Sequence, residues 1–188
     1  MKKSSITFII LGIILVLAIG IASYKIMAEK TTKVLIETNY GNITVELDAQ
    51  KAPISVANFL SYVNSGFYTD TIFHRVIKNF MIQGGGFDTN GIQKPTKNPI
   101  TIESQNGLKN LKGTIAMART SDPNSATSQF FINTNDNDFL NYGSRDQGYA
   151  VFGKVTSGMD VVLSIQNLQT NSNDEPLKQV IIKSIKVI

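Results

Sequence analysis

The pattern of apolar and polar positions separates one long apolar run near the N terminus from a series of short β-rich runs. The apolar run spans residues 6–22, and its 17 positions contain no charge and only one polar side chain, Thr7. This length is at the lower limit for an α-helix that crosses a bilayer. We therefore expect a hydrophobic membrane helix within residues 1–28, a linker at residues 29–32 and one folded domain over residues 33–188.

The apolar segment allows two outcomes, a retained anchor or a cleaved signal peptide. Lys2 and Lys3 before an apolar centre fit both, and residues 20–22 form a small-x-small cleavage site. Because the apolar run is longer than a usual signal-peptide centre, we favour a retained anchor with the folded domain on the extracytoplasmic side. The alternative is a secreted protein cleaved near Ala22. Lysines flank the segment on both sides, so the positive-inside rule does not decide its orientation.

After the linker, runs rich in β-branched and aromatic residues alternate with turn residues. One helix is expected to begin at Pro53 and end at Gly66, and a second to follow Ser157 as N-cap, with Asp160 in the capping-box position. About eight short strands with no βαβ rhythm indicate a mainly β fold, an antiparallel barrel whose ends the two helices cover. The expected strands are residues 33–38, 43–47, 73–77, a partner after the turn at residues 78–79, then 100–103, 113–118, 129–133, 151–155 and 179–188.

Residues 73–87 have a composition that suits neither a core nor an ordinary surface. An apolar run is interrupted by Arg75, by Gln83 and by the single histidine of the chain, and it ends in three glycines. Glycine permits a positive φ or a close backbone approach where a side chain would collide. This stretch therefore predicts a site along which an extended chain could lie.

Strand alternation gives this stretch two faces. It places Phe73, Arg75 and Ile77 on one face and turns His74 to the other, which predicts a structural rather than a catalytic histidine. In the next strand, Met81 and Gln83 share a face. The same alternation in the strand at residues 129–133 predicts that Gln129 and Phe131 lie opposite Phe130 and Ile132, so that one of its faces offers Gln and Phe side chains.

Composition and charge exclude several kinds of chemistry. The chain has no cysteine and one histidine, which excludes disulfides and thiolate nucleophiles and argues against a metal site built on His or Cys ligands. The net charge of +4 is mostly local, because residues 1–32 carry four lysines and one glutamate and the rest carries 14 basic and 13 acidic residues. A nearly neutral folded part argues against a nucleic-acid partner.

Five motifs in order resemble those of cyclophilins: Phe73-His74-Arg75, the run at residues 80–85, and the runs at 113–118, 128–132 and 151–155. The resemblance covers roughly residues 33–188. It implies an eight-stranded closed barrel capped by two helices, and peptidyl-prolyl cis-trans isomerase activity on proline-containing polypeptides without a cofactor or a metal.

The resemblance also implies roles for single residues. Arg75 corresponds to the catalytic arginine of the family, and Gln83 and Phe80 are the other expected catalytic residues. The expected substrate-binding residues are Met81, Ala118, Arg119 through its backbone, Gln129, Phe131, Phe139, Leu140 and Tyr149. We expect the protein to be a monomer held at the membrane by its N-terminal helix.

Three of these positions depart from the best-known animal members, which carry Trp, His and Asn where this chain has Phe139, Tyr149 and Arg119. The combination resembles bacterial cyclophilins. Because Phe139 is smaller than Trp and lacks an indole N–H, we expect weak cyclosporin binding at most.

Two functions other than isomerase activity would use residues of the same stretch. A Ser-His-Asp hydrolase built on His74 lacks a nucleophile-elbow motif. A non-catalytic proline-peptide binder or holdase would use the same groove, and Arg75 is the residue that distinguishes an enzyme from such a module.

Overall fold

A computed structural model of the chain describes residues 31–188. The expected membrane helix lies outside these described residues. Within residues 31–188, no helix is long and apolar enough to cross a membrane.

Eight antiparallel strands close into a barrel, in the order β1-β2-β7-β5-β6-β4-β3-β8. The prediction of a mainly β antiparallel barrel is confirmed. The strands are β1 (Thr32–Thr38), β2 (Gly41–Leu47), β3 (Thr71–Ile77), β4 (Met81–Asp88), β5 (Thr114–Met117), β6 (Phe130–Asn133), β7 (Val151–Ser157) and β8 (Ile181–Val187).

Two α-helices and one short 3-10 helix complete the described part of the chain. Helix α1 is Pro53–Asn64, the 3-10 helix is Asp138–Leu140, and helix α2 is Met159–Gln166. Proline at the first position of α1 costs no hydrogen bond, because the first N–H groups of a helix have no partner within it. Gly66 lies just beyond the helix with φ +68°, as expected for a glycine that ends a helix.

The helices pack against the main core of the barrel. Phe59 of α1 is fully buried, and its ring centroid lies 5.2–5.5 Å from those of Tyr68, Phe130 and Phe152. Val162 and Ile165 of α2 belong to the same buried cluster. Full burial of a side chain such as Phe59 contributes roughly 1.5–3 kcal/mol. These contacts fix both helices on the barrel.

A second apolar group, here called the outer cluster, lies on the other face of strands β4 to β7. In β6, Phe130 and Ile132 enter the main core, whereas Phe131 between them enters the outer cluster. This is the alternation that the sequence predicted. The buried members of the outer cluster are Met81, Ala116, Phe131, Leu140 and Val151.

The prediction of a strand at residues 100–103 is wrong. Only Ile100 makes a bridge, to Ala126, and the next residues are irregular. The Glu103 carboxylate instead accepts the backbone N–H groups of Ile54 and Ser55 at 2.9 and 2.7 Å. A helix leaves its first N–H groups unpaired and favours negative charge there, so this segment serves as the cap of α1.

The prediction of a capping box at Ser157 and Asp160 is also wrong. Ser157 is the last residue of β7, where it pairs with Thr44, and the N-cap of α2 is Gly158. A Cβ on Gly158 would lie 2.1 Å from the Asn42 carbonyl oxygen, and its φ is +82°. The close approach of β2 therefore requires glycine at this helix start.

Strand β3 departs from the predicted alternation at one point. Its pairing with β4 shifts register between Phe73 and Arg75, as at a β-bulge. Phe73 and Val76 consequently both enter the main core, while Arg75 faces outward. The prediction that Phe73 shares a face with Arg75 is thus wrong, and the bulge is the reason.

His74 lies at this bulge, with its ring centroid 4.6 Å from that of Phe87. Its Nδ1 is buried without a hydrogen-bond partner in the described part of the chain. Burial, and secondarily the positive charge of Arg75, lowers the pKa of His74 from 6.5 to about 4. The imidazole is therefore neutral at pH 7, which suits packing and not a cationic role.

The glycine tract of β4 lets the strand lie against aromatic rings. Gly85 has φ +81°, and a Cβ there would lie 2.8 Å from both the Phe130 and the Tyr68 ring. Gly91 has a similar φ of +76° but no atom within 4 Å of its Cβ position. An added Cβ therefore meets both backbone strain and steric overlap at Gly85, but only backbone strain at Gly91.

We predict that Gly85→Ala lowers the free energy of unfolding by about 3 kcal/mol, of which roughly 1 kcal/mol is left-handed strain and the rest overpacking. Gly91→Ala is the control, and its free energy of unfolding should fall only by the roughly 1 kcal/mol of left-handed strain. Urea denaturation of both variants measures the difference. Equal losses would show that the rings move aside and that β4 is not held against them.

We further predict that His74 destabilises the fold at acidic pH. Its folded pKa is depressed, so the unfolded chain binds more protons between pH 6.5 and about 4, and stability falls as pH falls through that window. Between pH 7 and pH 5 the loss from this group is about 2 kcal/mol. Denaturant unfolding of wild type and His74→Phe at both pH values tests this, and parallel losses in the two proteins would contradict it.

Candidate active site

The strand register builds the candidate site as one row across five strands. Arg75 of β3 pairs with Gln83 of β4, which pairs with Phe131 of β6. Phe131 pairs in turn with Ala116 of β5, and Ala116 with Val151 of β7. Residues paired across a sheet have side chains on the same face. The row therefore runs from a cation through an amide to an apolar surface.

The apolar end of the row is a buried pocket floor. Met81, Phe131 and Leu140 are only 2, 4 and 8% exposed. Phe80 packs against them, and its ring is stacked 5.5 Å from that of Phe139, which is 39% exposed. These five residues, all expected at the site, thus lie together, with Phe139 at the solvent edge.

Two glutamines form the polar part of the row. The Gln83 side chain donates to the Gln129 side chain, with Nε2 and Oε1 2.9 Å apart. A Cβ on Gly86 would lie 2.5 Å from Cγ of Gln129, so glycine at this position makes room for that side chain. Gln129 also accepts the Ala118 N–H at its carbonyl oxygen, 3.0 Å away. These contacts bring Gln83, Gln129 and Ala118 to one place.

Arg75 makes one ion pair with the described part of the chain. Its Nε donates to Oδ2 of Asp174 at 3.3 Å, and both side chains are about two-fifths exposed. An exposed ion pair contributes on the order of 1 kcal/mol or less to stability. The pair engages Nε alone, and the two terminal NH₂ groups make no hydrogen bond with the described part of the chain.

Arg119 is more deeply buried than Arg75 and makes more hydrogen bonds. Its side chain is 4% exposed. Nε donates to the Gly148 carbonyl at 2.8 Å, Nη1 to the Thr120 carbonyl at 2.9 Å, and Nη2 to Oδ1 of Asp146 at 2.9 Å. Its guanidinium also lies 4.6 Å from the Tyr149 ring centroid. The side chain is therefore committed to the protein, which leaves the backbone as the part of Arg119 available to a peptide.

Asp174 and Asp146 were not among the predicted site residues. Asp174 has φ +65°, the left-handed conformation that Asp tolerates better than most residues, in the polar loop before β8. The pKa of Asp146 is lowered, first by the Gly148 N–H and then by Arg119. Both residues lie in polar loops, where an aspartate in the sequence gives no sign of its partner.

A buried asparagine network beneath the pocket was also missed. The Asn137 side chain donates to the Phe80 carbonyl at 2.9 Å and to Oδ1 of Asn133 at 2.7 Å. Asn110 donates to the Leu140 carbonyl at 3.1 Å and accepts from Asn133 at 3.2 Å. Buried amides with satisfied partners fix backbone positions. This network therefore holds two residues of the pocket wall.

The described residues contain no group of three or more His, Cys, Asp or Glu side chains that could hold a metal ion. What the arrangement offers is an oriented guanidinium, an amide pair and an apolar pocket in one row. Such a surface suits an extended peptide with one apolar ring to bury.

Comparison with known proteins agrees with this geometry. The family model described as cyclophilin type peptidyl-prolyl cis-trans isomerase/CLD matches residues 33–187. Peptidyl-prolyl cis-trans isomerase A of Dickeya dadantii is 53% identical, with 96% of this chain and 97% of the relative covered. Peptidyl-prolyl cis-trans isomerase B of Escherichia coli is 52% identical, with 82 and 98% covered.

A solved structure supports the fold as well. A cyclophilin type peptidyl-prolyl cis-trans isomerase of Cryptosporidium parvum is 32% identical, with a TM-score of 0.73 over 84% of this chain and 98% of the other. A structure of that protein in the presence of the dipeptide Ala-Pro is 33% identical, with a TM-score of 0.71 over 83% of this chain and 98% of the other. The chain belongs to the cyclophilin family of peptidyl-prolyl cis-trans isomerases.

Proposed function

We propose that this isomerase acts on exported polypeptides and that its catalytic step depends on the terminal NH₂ groups of Arg75. The observation that carries the proposal is the row in which Arg75 pairs with Gln83, next to a pocket floor that contains Phe131. A proline ring on that floor would bring its own nitrogen toward the Arg75 end of the row.

The proposed role of Arg75 is to weaken the conjugation of the X-Pro amide bond. The X-Pro bond resists rotation with a barrier of roughly 18–20 kcal/mol, because the nitrogen lone pair is delocalised. In the twisted state the lone pair is localised on a pyramidal nitrogen, which accepts a hydrogen bond better than a planar one. A donor at that nitrogen stabilises the twisted state more than the ground state, and this difference is catalysis.

The other residues bind and orient the peptide. Phe80, Met81, Phe131 and Leu140 bury the ring and exclude water, which strengthens the hydrogen bond from Arg75. The Gln83 and Gln129 amides and the backbone at Arg119 hold the flanking peptide groups. Uncatalysed isomerisation takes tens of seconds or longer, so acceleration matters for chains that fold after export.

We predict that Arg75→Ala lowers kcat/KM by on the order of a hundredfold while the affinity for a proline peptide changes little, because the donor acts mainly on the twisted bond. Phe131→Ala is expected to lower both kcat/KM and the affinity for the peptide, since it removes a pocket wall that contacts the ground state and the transition state alike. NMR exchange spectroscopy on one proline peptide measures binding and isomerisation in the same sample.

The same experiment separates an enzyme from a peptide-binding module. Arg75→Lys serves as a matched variant, because it keeps the positive charge but not the planar guanidinium with its separate Nε and terminal donors. If Arg75→Ala retains nearly the wild-type exchange rate, Arg75 is not catalytic, and a proline-peptide binder or holdase becomes the better account of the groove.

We also propose that cyclosporin binds weakly at most. Phe139, at the solvent edge of the pocket, is stacked on Phe80, and the Arg145 guanidinium lies 4.8 Å from its ring centroid. The phenyl ring offers less contact area than an indole and has no N–H to donate.

We propose that the N-terminal segment retains the protein at the membrane, with the isomerase domain on the extracytoplasmic side. The support is the uncharged run of 17 residues at positions 6–22. Fractionation of the full chain, followed by N-terminal sequencing, tests the proposal. A membrane-bound protein that keeps Lys2 and is digested by protease added outside is the expected result, whereas a soluble protein that begins at Ser23 would show secretion after cleavage.

A further inference from the structure

The loop at residues 141–149, here called the pocket loop, joins the 3-10 helix to β7 beside the proline pocket. Asp146 accepts two hydrogen bonds from other residues of the loop. Its carboxylate accepts the Gly148 N–H at 2.7 Å, and its backbone carbonyl accepts the Gly143 N–H at 3.0 Å. Gly148 has φ +63°, and a Cβ there would lie 2.5 Å from the Tyr142 nitrogen. The loop therefore has a specific, tightly wound conformation.

Arg119 connects the pocket loop to the strand end that carries Ala118. It reaches the loop twice, at the Gly148 carbonyl and at the Asp146 carboxylate. The Arg119 side chain is 4% exposed, whereas that of Asp146 is 58% exposed. A buried guanidinium needs its counter-charge, and removing that partner leaves an uncompensated buried charge.

From Arg119 the contacts lead to the pocket wall. The guanidinium lies 4.6 Å from the Tyr149 ring centroid, and the Tyr149 ring is edge-on to Phe131, with centroids 5.6 Å apart and planes at 80°. The Tyr149 N–H also donates to the Leu140 carbonyl at 2.9 Å. Aromatic edge contacts and cation–π contacts both depend on ring orientation. Contacts thus lead from Asp146 to Phe131 through two intermediate side chains, Arg119 and Tyr149.

We propose that Asp146 is a positioning residue for the proline pocket, which acts through Arg119 and Tyr149 to hold the Phe131 ring in its binding orientation. The proposal rests on the proposed function, because it assigns Phe131 to the proline-binding surface. It distinguishes Asp146, which touches no part of the pocket floor among the described contacts, from a catalytic residue.

The proposal predicts a kinetic signature opposite to that of Arg75. In Asp146→Asn the amide oxygen still accepts the Gly148 N–H, but the counter-charge of Arg119 is lost. Tyr149 and Phe131 then sample further orientations, so the peptide Kd and KM rise by about three- to tenfold. The value of kcat stays within about twofold, because the donors of Arg75 are unaffected.

Asp122→Asn is the matched control. The Asp122 carboxylate accepts the N–H of Asn124, two residues on, at 2.9 Å, just as Asp146 accepts that of Gly148. Asp122 is exposed and makes no ion pair with the described part of the chain. The control therefore removes one carboxylate charge from the same kind of turn, and its KM and kcat should equal those of wild type.

The experiment measures KM, kcat and peptide Kd by NMR exchange spectroscopy on the full chain and on these two variants, together with the aromatic proton shifts of Phe131 and Tyr149. Shifted or broadened Phe131 signals with a raised KM in Asp146→Asn alone support the proposal. Unchanged Phe131 signals, or a KM equal to that of Asp122→Asn, overturn it.

A double-mutant cycle keeps the proposal testable if Asp146→Asn lowers stability. When Arg119→Met already removes the guanidinium, adding Asp146→Asn should raise KM no further, because both changes break one chain of contacts. If the increases in KM from the two substitutions add, Asp146 does not act through Arg119 and the proposal is contradicted. The proposed function fails separately, through an Arg75→Ala variant that retains its exchange rate, so the two failures are distinguishable.

Discussion

The pairing register of the closed barrel is the constraint on which the site depends. In an antiparallel sheet, one shift in register moves every side chain of a strand to the opposite face. The row from Arg75 through Gln83 to Phe131 exists because β3, β4 and β6 are paired at those residues. A closed barrel has no free edge along which a strand could slip, so the register that fills the core also assembles the site.

Arg75 lies within β3 and Arg119 lies two residues after the end of β5, and a loop aspartate pairs with each of them. Asp174 lies in the loop before β8 and holds Arg75, while Asp146 lies in the pocket loop and holds Arg119. Each pair joins a residue within or just after a strand to a loop aspartate. The loops are thereby fixed against the barrel on two sides of the pocket, which prepares the groove before a peptide arrives.

Local patterns could be predicted from the sequence, whereas features set by distant partners could not. The alternation of β6 placed Phe131 on the face opposite Phe130 and Ile132, as the structure has it. Met81, Phe131 and Leu140, which the motif resemblance named, lie in one cluster. The bulge that separates Phe73 from the face of Arg75 arises from pairing with β4, and nothing within β3 indicates it. The roles of Asp174 and Asp146 depend on arginines 99 and 27 residues away in the chain. Such aspartates look like ordinary loop residues until the fold is known.

The hydrogen-bond donors of the two arginines decide which of them can act on a substrate. All three nitrogens of Arg119 donate to protein oxygens, and the side chain is almost wholly buried. Using it on a peptide would require breaking three hydrogen bonds, one of them to the buried Gly148 and one to its counter-charge, Asp146. Arg75 commits only Nε to the described part of the chain and keeps about two-fifths of its side chain exposed. A ligand that accepts from its terminal NH₂ groups would displace no hydrogen bond to the described part of the chain. The same residue type is thus committed to the protein at Arg119, whereas at Arg75 the terminal donors make no hydrogen bond with the described part of the chain.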